Sequence, residues 1–129
     1  MIYGNKFIIF VFLFSFLFLV GCQGKFQNFH YDLYDGYSIK GIDNSVELYK
    51  NDQLIKIDNG HYQITEFKYN SDVVCLKLSN GKYYMIYYVD TSIYGPYTKE
   101  SLDDTIDNDS TMSFDSDFQN ILKADVVYE

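Results

Sequence analysis

Val73-Val74-Cys75-Leu76-Lys77-Leu78-Ser79-Asn80-Gly81-Lys82-Tyr83-Tyr84-Met85-Ile86-Tyr87-Tyr88-Val89 decides the fold. Two runs rich in β-branched and aromatic residues flank Asn-Gly, the preferred pair for a tight hairpin turn. A two-residue Asn80-Gly81 turn pairs Leu78 with Tyr83, Leu76 with Met85 and Val74 with Tyr87 on one face. The other face then carries Lys77 with Tyr84, Cys75 with Ile86 and Val73 with Tyr88. Both faces are largely apolar, so residues 83–89 read as a strand covered on two sides.

Upstream, turn signals recur every seven to twelve residues: Asp35-Gly36, Asp43-Asn44, Asn51-Asp52, Asp58-Asn59-Gly60 and residues 70–72. Short strands between such signals predict an antiparallel meander over residues 26–98. Downstream, Thr98 offers a helix N-cap, with Tyr97 and Leu102 placed as a hydrophobic staple and Ile106 on the face of Leu102. A second helix is expected from Ser113, because Phe114, Phe118, Ile121 and Leu122 recur at helical spacing. Val126-Val127-Tyr128 suggests a final strand. The expected fold is therefore mainly β, an antiparallel meander sheet or small sandwich with one or two short C-terminal helices. The alternative is α+β. In either case residues 99–129 are expected to form an acidic C-terminal helical region of the same domain.

At the N-terminus, Lys6 precedes a run over residues 7–20 that is apolar but for Ser15, long enough for an export-signal core and short for a membrane span. It is followed by Leu19-Val20-Gly21-Cys22, which looks like the lipobox of bacterial lipoproteins. That resemblance implies that residues 1–21 are a signal peptide, cut between Gly21 and Cys22. It also implies that the Cys22 thiol carries a diacylglyceryl group as a thioether. Two acyl chains satisfy the requirement for stable anchoring, so the expected address is the extracytoplasmic face of the cell membrane, with residues 22–25 a short tether. Cys75 is the one other cysteine. With Cys22 acylated it has no disulfide partner, and it reads as a small buried hydrophobe.

The chain has 129 residues, and the 108 that follow the signal suffice for one compact domain. The formal net charge is −8. Nine carboxylates against Lys123 alone fall in residues 100–129, whereas residues 22–99 are nearly balanced. Without a lysine cluster or any arginine, nucleic acid is excluded as an expected partner. No nucleophile elbow, phosphate loop or dinucleotide fingerprint occurs. His30 and His61 are isolated, and Asp107-Asn108-Asp109 and Asp115-Ser116-Asp117 lack the glycine and distant glutamate of a calcium loop. No catalytic residue, metal or cofactor is therefore expected, and the chain reads as a non-enzyme. Tyr84, Tyr87, Tyr88, Tyr94 and Tyr97 offer a ring surface for an envelope protein, peptide or sugar, with Tyr84, Tyr88, Tyr94 and Tyr97 the chosen set; the competing reading is cross-strand packing.

Two stretches, Asp32-Leu33-Tyr34-Asp35-Gly36-Tyr37 and residues 83–97 with Val89-Asp90-Thr91 and Tyr94-Gly95-Pro96-Tyr97-Thr98, give the chain a resemblance to small uncharacterised lipoproteins of Gram-positive bacteria. The likeness covers most of the mature domain up to about Thr98. It implies the anchored address and a β-fold and carries no activity, and Gly95-Pro96 is expected to end the strand. Two functional classes follow: an envelope binding or interaction module, and an inhibitor or immunity protein whose acidic segment steers it to a basic enzyme or toxin. The address is tested by fatty-acid labelling in cells. The wild type is expected to incorporate label and Cys22→Ser to lose it; equal incorporation sinks the anchor.

Overall fold

The computed structural model describes residues 27–60, 62–124 and 126–128. The expected signal peptide over residues 1–21, Cys22, the expected tether over residues 22–25 and His61 lie outside them. Among the described residues ten strands form two antiparallel five-stranded sheets. The first sheet, in the order β10-β1-β2-β3-β4, comprises β1 (Phe29–Asp32), β2 (Tyr37–Ile42), β3 (Ser45–Lys50), β4 (Gln53–Ile55) and β10 (Val127–Tyr128). The second, β8-β7-β6-β5-β9, comprises β5 (Ile64–Tyr69), β6 (Val73–Leu78), β7 (Tyr83–Tyr87), β8 (Ser92–Tyr97) and β9 (Gln119–Asn120). One helix, α1 (Lys99–Asp107), follows β8. Among the described residues no helix is long and apolar enough to cross a membrane.

The turns of the first sheet follow from residue type. Asp43-Asn44 (φ 52° and 67°) and Asn51-Asp52 (φ 49° and 67°) put both central residues in the left-handed region, which Asn and Asp tolerate and which matches strand twist. The hairpin that announced the fold is closed differently. Asn80 keeps negative φ, and Gly81 alone is left-handed at 84°. Gly81 N–H donates to Leu78 O at 2.9 Å and Leu78 N–H to Lys82 O at 2.9 Å, so the loop has three residues. That slips the expected register by one: Lys77 pairs with Tyr83, Leu76 with Tyr84, Cys75 with Met85, Val74 with Ile86 and Val73 with Tyr87.

The slip sorts side chains cleanly, because a one-residue shift exchanges faces. Val74, Leu76, Leu78, Tyr84 and Ile86 point between the sheets, where they meet Ile39, Leu48 and Phe67. Val73, Cys75, Tyr83 and Met85 point outward into a second core capped by Leu102. The strand pair is thus covered on both sides, as its composition requires.

Helix α1 forms as its signals predict. Thr98 is the N-cap in a reciprocal box with Ser101 (Ser101 N to Thr98 Oγ1 3.1 Å; Thr98 N to Ser101 Oγ 2.9 Å). Leu102 is fully buried, with Tyr97 and Ile106 packed in the same outer core.

The second expected helix does not form. Its apolar residues are needed on different surfaces. Ile121 enters the inter-sheet core, whereas Phe114 and Phe118 lie over the outer face of the second sheet. There Lys68 Nζ sits 4.8 and 4.9 Å from the two ring centres, and Phe118 meets Tyr83 edge-on at 5.3 Å. Asp115, Ser116 and Asp117 are poor helix formers that bond locally instead, as Asp117 Oδ1 does with Phe118 N–H at 2.7 Å. The segment's backbone is satisfied by the edge of β5, through Glu66 opposite Asn120, Phe67 opposite Gln119 and Ile121 N–H to Thr65 O at 3.0 Å. The expected final strand is present as β10, opposite β1.

Gly95-Pro96 does not end its strand either; both residues lie inside β8, at the edge of the sheet, where a proline removes no ladder partner. Gly95 (φ 134°) passes so close to β7 that a Cβ would meet Tyr83 O at 2.8 Å.

Tyr37, fully buried in β2, reaches across to the other sheet, where its hydroxyl donates to Tyr88 O at 3.1 Å and pairs with Thr91 Oγ1. Tyr37→Phe leaves the Tyr88 carbonyl without its buried donor and removes the part-buried contact with Thr91, and is expected to lower stability by about 1–3 kcal/mol. Urea unfolding should give a reduced midpoint with unchanged slope, while Tyr94→Phe, on the exposed outer strand, stays near wild type.

Candidate functional site

The four selected tyrosines do not share a surface. Tyr84 and Tyr88 are 5% and 2% exposed and point into the inter-sheet core. Tyr94, half exposed, packs edge-on against Tyr87 at 5.6 Å, and Tyr97 is drawn into the outer core. The expectation of a ring surface built from Tyr84, Tyr88, Tyr94 and Tyr97 is corrected accordingly. Alternation along a strand sends Tyr84 inward once the register is set by the three-residue loop.

Another set of tyrosines does gather at one end of the sandwich. The turn between β1 and β2 brings Tyr34, and the ends of β1 and β5 bring Tyr31 and Tyr69. The Tyr31 and Tyr69 hydroxyls hydrogen-bond across the two sheets at 2.9 Å. Tyr34, 48% exposed, lies 6.0 Å from the Tyr69 ring and 6.3 Å from that of Tyr88. Tyr31, Tyr34 and Tyr69 line a groove of about 500 Å³ whose opposite wall is residues 111–116, including Thr111, Ser113 and Asp115. A hollow of about 210 Å³ adjoins it and shares Asn70, Ser71, Asp72 and Thr111.

The floor is held firmly. Asn70 Oδ1 accepts from Asp72 N–H (2.8 Å) and Val73 N–H (2.9 Å), and its amide donates to Ser113 O (2.9 Å), tying the β5–β6 turn to the far wall. Asp109 Oδ1 accepts from Thr111 N–H at 3.0 Å and from the Thr111 hydroxyl, which holds its carboxyl below the usual range. Asp35, Asp72, Asp109 and Asp115 border the two hollows, and among the described residues no lysine lines either. Beneath them the Tyr88 hydroxyl is buried without a hydrogen-bond partner among the described residues, and burial pushes its pKa up strongly.

Such a place suits a cationic group: ring faces attract it, carboxylates add negative potential, and polar neighbours orient it. Among the described residues no three of His, Cys, Asp and Glu come together to hold a metal. His30 faces Asp32 at 3.9 Å, and Asp117 lies 4.0 Å from Lys68. Cys75 is buried in the outer core, as expected, and desolvation pushes its thiol up to about 12.

Sequence reading passed over Tyr31, Tyr34 and Tyr69 as site residues, although Tyr34 sits in the Asp32–Tyr37 motif and Tyr69 precedes the 70–72 turn signal. No protein-family model, curated protein sequence or solved structure matches the chain.

The tyrosine pair has a consequence at high pH. The bond to Tyr31, with burial, raises Tyr69 from 10.0 to about 12, and Cys75 rises from 9.0 to about 12. Above pH 9 to 10 the unfolded chain releases protons that the folded chain retains. Their contribution to stability is whole below those values and lost as pH climbs toward 12. Denaturation midpoints should fall across that window, and a thiol reagent at pH 8 should modify Cys75 only after denaturant is added.

Proposed function

We propose that this chain is a bacterial envelope lipoprotein, anchored through Cys22 on the extracytoplasmic face of the cell membrane, that captures a positively charged group of an envelope ligand in the tyrosine-lined groove. It acts by binding rather than catalysis. The observation that carries the reading is the groove of Tyr31, Tyr34 and Tyr69, bordered by Asp35, Asp72, Asp109 and Asp115, with no lysine among the described residues that line it. The lipobox, with the apolar run before it and the resemblance to small Gram-positive lipoproteins, supports the address. The acidic border also favours the second reading, in which a basic enzyme or toxin inserts a lysine or arginine at the same place.

The shared chemistry is an ammonium or guanidinium group, and its sources can be separated. Titration of the lipidated full chain with oligolysine and with chitosan oligomers, each beside its N-acetylated form, should show binding only with the charged member. Preference for oligolysine points to a protein or peptide, preference for chitosan to an amino sugar. Tyr34→Ala, at an exposed position, should weaken binding by roughly 2- to 30-fold, corresponding to about 0.5–2 kcal/mol for a cation over an aromatic face. Asp72→Asn combined with Asp115→Asn should weaken it further in low salt. Equal binding of acetylated and free forms, or no binding by either, defeats the proposal.

A further inference from the structure

The two ends of the sandwich differ in chemistry. Strand β5 runs between them: Ile64 is at the end opposite the groove and Tyr69 lines the groove, about 17 Å further along at roughly 3.3 Å per residue. At the Ile64 end a hollow of about 210 Å³ has a mainly apolar surface from Val46, Ile64, Ile121 and Leu122, with Asn44, Gln63, Thr65 and Asn120 completing its lining. Three large apolar residues are exposed on this side: Leu122 at 64%, Val127 at 54% and Tyr128 at 59%. The carboxylates that border the groove lie at the other end.

The chain also enters the sandwich here. Phe29, the first residue of β1, pairs with Tyr128, and their rings meet at 6.3 Å. Just before it, Asn28 Oδ1 accepts from Asp43 N–H at 3.2 Å, fixing the incoming backbone to the β2–β3 turn. Six residues lie between Cys22 and Phe29, and the seven Cα steps reach up to about 25 Å. A lipid at Cys22 therefore keeps this end beside the bilayer. Leucine and valine side chains gain from the acyl boundary, and a tyrosine at its margin keeps its hydroxyl among the headgroups.

We infer that the end bearing Leu122, Val127, Tyr128 and the Val46–Ile64–Ile121 hollow is a membrane-contact surface, resting on lipid with the tyrosine groove turned outward. Anionic headgroups reinforce the orientation by repelling the acidic groove end. The inference rests on the reading of Cys22 as the anchor, and the two can fail separately.

The test places an environment-sensitive nitrobenzoxadiazole label on Leu122→Cys, Val127→Cys or Ser71→Cys in the lipidated full chain. The proteins are reconstituted in phosphatidylethanolamine–phosphatidylglycerol vesicles containing nitroxide-labelled lipid, with the parent protein as the blank for Cys75. Labels at 122 and 127 should shift to the blue and be quenched several-fold more than the label at 71. Proteins that float with the vesicles but show equal or no quenching at the three positions overturn the contact surface. A blue shift at 122 and 127 without lipid quenching overturns it as well and indicates a second copy seated there. Cys22→Ser is expected to stop floating. If it floats as the wild type does and its labels are still quenched, the surface stands and the anchor falls.

Discussion

The β6–β7 ladder has no polar face, and most of the architecture answers to that. Val74, Leu76 and Ile86 on one side and Val73, Cys75 and Met85 on the other are all 0–2% exposed. A single sheet would leave one of those rows in water, at about 1.5–3 kcal/mol for each large side chain. The first sheet covers the inner row. Helix α1 and the chain that follows it cover the outer row, which accounts for a short helix after eight strands and for a C-terminal segment stretched across the sheet rather than coiled.

Cross-links at the two ends hold the layers in one alignment. At the groove end the Tyr31–Tyr69 hydroxyl pair and the reach of Tyr37 to Tyr88 O and Thr91 join the sheets. At the other end Gln63 does so, accepting from Val46 N–H and donating to Ser45 Oγ at 3.4 Å. Directional bonds complement an apolar core that by itself specifies alignment weakly. Aromatic residues carry both functions here, packing with the ring and bonding with the hydroxyl.

Much of the fold was legible because its signals are local. Asp-Asn and Asn-Asp pairs mark turns by their tolerance of positive φ, and Thr98 with Tyr97 and Leu102 marks a helix start. The hairpin register was not legible, since Asn80-Gly81 serves a two-residue turn or, with Gly81 alone left-handed, a three-residue one. The helical spacing of Phe114, Phe118 and Ile121 misled because tertiary demand sent those residues to two separate cores. The candidate groove was hidden for a related reason. Tyr31, Tyr34 and Tyr69 come from three places in the chain, while Tyr84 and Tyr88, conspicuous in sequence, are interior packing.

The rims of both sheets have their own significance. Strands β9 and β10 are two residues long, β4 is three, and β8 carries Pro96, which has no amide hydrogen to offer. Among the described residues no rim presents a long row of free donors and acceptors onto which a neighbouring chain could add a strand. Blunt rims of this kind keep encounters between crowded copies of the chain from turning into polymerisation.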